Sequence, residues 1–168
     1  SVAALYEYGL ADGVGGDTYA PDDAVTVAQL ATFSARIRAA YQGDTIPAAQ
    51  TGEVWYQPYV RYLKEEGVLG NEYDGHYTDK ATRAQMAGIF APTLPDEWYD
   101  GRNADAVTQG YALRQFIKDV NDYTPYQQEI LWLYKQGILD GADKTGAFLP
   151  ERTVKRSEIA ALVTRMID

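Results

Sequence analysis

The chain has 168 residues, 46% of them apolar, which is enough for one compact domain with a real core and too apolar for wholesale disorder. Its formal net charge of −9 argues against a nucleic-acid reader and against unspecific capture of anionic polymers or membranes, so any bound anion must be held by a local cluster of cations. There is no Cys, hence no disulfide, thiolate metal site or Cys nucleophile, and no apolar run of the roughly 18 residues needed to span a membrane.

Ser1 opens directly into a helical pattern without a signal peptide, as in a processed piece of a longer chain. Val2-Ala3-Ala4-Leu5 reads as the end of a helix closing near Gly9. Residues 25–40 predict a second helix, with Leu30, Phe33 and Ile37 spaced for one face. Residues 43–52 are a polar loop containing Pro47. Residues 55–66 predict the next helix, with Tyr59, Tyr62 and Leu63 on a stripe and Gly67 at its end. Residues 82–90 predict another, closed by Pro92 and Pro95, and residues 95–104 read as irregular. A short helix is expected over 107–117. Residues 119–124 form a turn, with Pro125 placed at a helix start. Residues 126–136 carry Ile130, Leu133 and Tyr134, and residues 155–166 carry Ile159, Leu162, Val163 and Met166. Strand signals are nearly absent, so the expected fold class is all-α.

One pattern recurs three times. Tyr8-Gly9-Leu10, Tyr19-Ala20-Pro21 and Val25-Thr26-Val27-Ala28-Gln29 make the first copy. Glu66-Gly67-Val68, Tyr77-Thr78-Asp79 and Ala81-Thr82-Arg83-Ala84-Gln85 make the second. Gln136-Gly137-Ile138, Phe148-Leu149-Pro150 and Val154-Lys155-Arg156-Ser157-Glu158 make the third. Each ends a helix at Gly, crosses a loop bearing an aromatic, and starts a second helix. Such helix–loop–helix repeats usually build binding surfaces. The spacing is uneven, with Gly9, Gly67 and Gly137 at different intervals, which suits three prongs around an axis better than a stacked solenoid. The expected organisation is one domain over 1–168, with repeats at about 1–42, 53–92 and 118–168 and linkers at 43–52 and 93–117.

Thr26-x-x-Gln29 and Thr82-x-x-Gln85 fit capping boxes. Capping does not explain Arg83 and Arg156, cations in a first helical turn where the dipole disfavours them, nor Lys155 in place of the capping Thr. Either these side chains bend into solvent, or an anion sits there on free backbone N–H groups and a guanidinium fork. Aromatics cluster at Trp55-Tyr56, Trp98-Tyr99 and Trp132 with Tyr134. They either fill half-buried positions or offer flat faces and hydroxyls to sugar rings.

Leu133-Tyr134-Lys135-Gln136-Gly137-Ile138-Leu139-Asp140-Gly141, then Phe148-Leu149-Pro150, then Val154-Lys155-Arg156-Ser157-Glu158 resembles the surface-layer homology repeat of bacterial cell-surface proteins. Residues 123–168 are the fullest copy, 53–91 a looser one, and 1–38 a copy missing its start. The resemblance implies a three-pronged, pseudo-threefold helical domain. It implies binding of secondary cell-wall polysaccharide, often ketal-pyruvylated, in inter-repeat grooves with the motif Arg near the anionic group. It implies a secreted, cell-surface location and a monomeric pseudo-trimer. The candidate ligand-binding residues are Arg156, Lys155, Arg83, Trp132, Tyr134, Lys135, Asp140, Gly141, Trp55 and Lys64. Two departures bear on the grooves: Val27 stands at the Arg position of the first copy, and Asp79 replaces the motif Pro of the second.

Other chemistry fails on its residues. A calcium loop around Gly146 would put Gly141 and Arg152 where acids are required. His76 is the only His and supports neither a zinc site nor a triad. No spacing singles out a catalytic carboxylate pair among the 24 acids. No enzyme, cofactor or metal is expected. A protein–protein module of a surface layer, with the polymer site decayed, is the alternative to polysaccharide binding.

Overall fold

A computed structural model describes residues 22–99, 117–139 and 145–167. The first helix expected from the sequence, all but Ile117 of the segment expected as a helix over 107–117, and Asp140 and Gly141 lie outside the described residues. Within them the fold is all-α, with six helices and no strand: α1 Val27–Gln42, α2 Gln57–Glu65, α3 Arg83–Phe90, α4 Asp96–Tyr99, α5 Gln127–Lys135 and α6 Arg156–Ile167. The helix α4 corrects the irregular reading of its stretch. Pro95 precedes it, and Asp96 and Glu97 occupy its first turn, where acids suit the dipole.

Local chemistry sets the ends. Both capping boxes form: the Gln29 amide donates to Thr26 Oγ1 at 3.2 Å and the Thr26 amide to Gln29 Oε1 at 2.9 Å. The Thr82 and Gln85 pair repeats this at 3.1 and 3.0 Å. The helices α2 and α5 stop at Gly67 and Gly137, with φ of 73° and 74° that a side chain would disfavour. The Val68 and Ile138 amides then fold back onto the Leu63 and Leu133 carbonyls, both at 2.9 Å. Apolar faces from all these helices meet in one core, where Leu30, Leu63, Phe90, Ile130, Phe148 and Ile159 are fully buried. The helix α1 packs on α2 and α3, and α3 packs on α5.

The segments entering α1, α3 and α6 are cross-linked by backbone. The Val25 amide donates to the Val154 carbonyl at 3.1 Å, Val154 to Ala81 at 2.9 Å, and Ala81 back to Val25 at 2.8 Å. The ring is closed, and all three of its residues are buried. A second circuit lies one step further on: the amides of Val27, Arg83 and Arg156 donate to the carbonyls of Asp79, Arg152 and Asp23 at 3.0, 2.9 and 3.1 Å. Isolated antiparallel bridges pair Ala24 with Lys155, Thr26 with Lys80 and Thr82 with Thr153. The motif residues Val27, Arg83 and Arg156 therefore hold corresponding places, each first in its helix.

Candidate ligand-binding site

That circuit alters the electrostatics expected at the helix starts. In α1 and α3 the first three amides are already engaged: Val27 and Ala28 bond to Asp79 and Tyr77 carbonyls, Arg83 and Ala84 to Arg152 and Pro150 carbonyls, and Gln29 and Gln85 to their capping Thr. The expected nest of free N–H groups is thus spent on neighbouring loops. In α6 the Arg156 amide is likewise committed to Asp23. At the start of α3, what can meet an anion is side-chain charge.

Arg83 is almost wholly buried, and its side chain crosses to the loop before α6. Its Nε donates to the Phe148 carbonyl at 2.7 Å, its guanidinium carbon lies 4.7 Å from the Phe148 ring centroid, and its Nη1 meets Glu158. Burial pulls the guanidinium below the usual arginine value, while Glu158 pushes back. The Glu158 carboxylate also accepts from Arg152 Nη2 at 2.6 Å and from the Lys155 amide at 3.0 Å. Glu158 therefore supplies half a capping box for α6 and is the shared counter-charge of two guanidinium groups. Sequence reasoning missed Glu158 and Arg152. The signal for Glu158 was present as a Glu where the other copies carry Gln29 and Gln85.

Arg156 is buried at the start of α6. Lys155 beside it is 43% exposed, and its Nζ lies 3.7 Å from the exposed Asp22, a loose pairing. Tyr134 stacks edge-on against Phe148 at 5.9 Å, so Arg83 and Tyr134 share one aromatic neighbour. The remaining candidates sit in other settings. Trp132 packs edge-on against Tyr99 at 4.7 Å, and Lys135 is half-buried in the last turn of α5. Lys64 donates to Asn71 and Asp74 at 3.0 and 2.7 Å. Trp55 is 55% exposed and leads a chain of rings inward: Tyr56 and Tyr77 follow, and Tyr73 beyond them donates to the Tyr126 hydroxyl at 2.7 Å.

Residues 1–31 and 116–160 match the S-layer homology domain. A similar protein is a cellulosome-anchoring protein of Acetivibrio thermocellus, 25% identical over 168 residues, covering 93% of this chain and 35% of that protein. The chain thus spans about a third of the length of this relative.

Proposed function

We propose that the chain is a non-covalent cell-wall anchoring module of the bacterial envelope. It binds secondary cell-wall polysaccharide, anionic and pyruvylated, in grooves between three units set as prongs around the backbone ring, and it catalyses nothing. The observation that carries this reading is the ring itself. It places Val27, Arg83 and Arg156 at corresponding sites, so that their differences in charge grade the grooves. Val27 brings no charge, and Arg83 is matched inside the protein by Glu158. The start of α6, where the half-exposed Lys155 lies beside Arg156 and pairs only loosely with Asp22, is the stronger anion contact. Affinity beyond that contact comes from hydroxyl hydrogen bonds and aromatic faces such as Trp55.

Calorimetry with pyruvylated and depyruvylated wall-polymer fragments tests this reading. The pyruvylated fragment should bind more tightly. Arg156→Ala should lower its affinity by about 1.5–3 kcal/mol, the range for a charge-assisted contact. Val27→Ala should leave affinity nearly unchanged. Equal affinity for the two fragments rules out the anion site. A second reading, assembly of surface proteins without polymer, is favoured by the internal pairing of Arg83 and by the acidic surface. Failure of the protein to bind purified sacculi would put that reading first.

A further inference from the structure

The ends of α1 and α6 farthest from the backbone ring do not meet. The helix α1 packs on α2 and α3 but not on α6. An open slot of about 400 Å³ lies in the gap, lined by Ile37, Ala40, Tyr41, Leu94, Trp98 and Ile167. Trp98 of α4 stands between the two helices: its Nε1 donates to the Met166 carbonyl at 2.7 Å, and its ring meets Tyr41 edge-on at 5.5 Å. Ile37 and Ile167 stand ten and eleven positions beyond the first residues of their helices, about 15 Å along each axis at roughly 1.5 Å per residue. The slot is therefore remote from the start of α6, where the anion contact is placed.

Every residue lining the slot is apolar or aromatic, yet Tyr41 is 45% exposed and Ala40 is exposed beside it. Concave apolar surface with an aromatic wall is where a partner's large side chain gains most by leaving water. The volume is at the lower end of the range for ligand pockets, about 300–1,000 Å³, which suits one large side chain better than a polymer. The charge around the slot is negative. Asp96 and Glu97 are exposed in the same short helix as Trp98, and Asp44 is exposed just beyond the end of α1. The last turn of α1 holds no basic residue to offset its dipole. The cations nearest in sequence are committed elsewhere. Arg38 donates to the Thr93 carbonyl at 3.1 Å and lies 3.7 Å from Glu66, and Arg165 donates to the Ile138 carbonyl at 3.2 Å.

We propose that this slot docks a basic polypeptide segment of a partner protein, with one large apolar side chain seated against Tyr41 and Trp98 and flanking Lys or Arg residues meeting Asp96 and Glu97. The anchor supplies the burial, and the cations supply orientation and a faster encounter. The charge argues against a second copy of this chain, because the domain carries −9 and like charge would face like. It argues equally against an anionic lipid surface. The docking surface goes beyond the anchoring reading and does not depend on it. Lying at the far end of the helices, it leaves the polymer contact open, so one domain can hold wall and partner together.

The experiment records amide NMR shifts of the whole chain at low salt during titration with capped hexapeptides: Lys-Lys-Leu-Phe-Lys-Lys, its acidic counterpart Glu-Glu-Leu-Phe-Glu-Glu, and Lys-Lys-Gly-Gly-Lys-Lys, which lacks the anchor. The first should shift signals from residues 37–41 and 94–98, and the other two should bind about tenfold more weakly or not at all. Tyr41→Ala should weaken the first about five- to tenfold, the worth of one aromatic contact. Asp96→Asn/Glu97→Gln should weaken it about three- to tenfold and flatten its salt dependence. All three positions are exposed, so these replacements leave the core intact. Binding of Tyr41→Ala to sacculi should be unchanged. No shifts, shifts undiminished in Tyr41→Ala, or equal binding of the acidic peptide overturn the docking surface even if sacculi are still bound. Sedimentation that finds a dimer of the free chain, dispersed by Tyr41→Ala, gives the slot to a second copy and overturns the proposal as well. Peptide docking with no binding to sacculi overturns the anchoring reading and leaves the docking surface standing.

Discussion

Glu158→Gln removes one charge and keeps the side-chain shape. In the wild type that carboxylate meets Arg83, whose side chain is 4% exposed, and Arg152, 32% exposed. Losing it removes the counter-charge that the Arg83 guanidinium meets in the interior, beside the Phe148 carbonyl and ring. Breaking a buried pair from one side costs about 3–5 kcal/mol, because the remaining charge is uncompensated. Glu158 is itself 19% exposed, so the lower figure of about 3 kcal/mol is the expected loss. For a chain of this size that corresponds to a fall of about 6–12 °C in the melting temperature. Circular dichroism during heating reads it directly. The double variant Arg83→Met/Glu158→Gln should recover most of the loss, since an apolar side chain needs no counter-charge. High salt should change the wild-type melting temperature little, as a buried pair is weakly screened. A single-variant shift below about 2 °C, or a double variant no more stable than Glu158→Gln, would refute the claim that the carboxylate neutralises Arg83.

Gly88→Ala should destabilise by about 1–3 kcal/mol, because an added Cβ would lie 2.4 Å from the Tyr126 ring; urea titration should show part of the loss returning in Gly88→Ala/Tyr126→Ala. Thr26→Ala and Thr82→Ala should each cost about 1 kcal/mol by the same measurement, through loss of a cap. The Tyr77 phenol is pushed up to about 12 from 10, first by burial and then by the Asp74 and Glu72 carboxylates. Burial also raises Tyr62 and Tyr73. A raised acid favours the folded state while it stays protonated, so this stability should be whole below pH 10 and fade as pH climbs towards 12 and beyond. Tyrosinate absorbance rising together with loss of helical signal would bear this out. Ionisation of all tyrosines near pH 10 in a protein that stays folded would contradict it.

The helices were legible because their signals are local. Apolar spacing, the Thr–Gln caps and the terminal glycines lie within a few residues of the structure they produce, and for the five helices expected within the described residues each end fell within two residues of the observed one. The stretch 96–99 was misjudged because its flanking prolines outweighed the acids that start it. The ring of amides was illegible because main-chain bonding between distant segments leaves no pattern in side-chain types. The role of Arg83 was hidden for a related reason: Glu158 is 75 positions away, and a cation at a helix start looks alike whether it faces solvent, ligand or a buried carboxylate.

The ring has a consequence in time. Its first bond joins residue 25 to residue 154, so closure demands nearly the whole chain at once. Bringing such remote segments together is entropically slow, and folds dominated by distant contacts form late. A chain emerging end-first can wind α1, α2 and α3, but the amide of Val25 must wait for Val154. Until then Val25 and Ala81 lack a neighbour that both require. The structure therefore delays its own completion until the last helix is present. A chain shortened before α6 should lose cooperative folding throughout, in its earliest helices as much as its last.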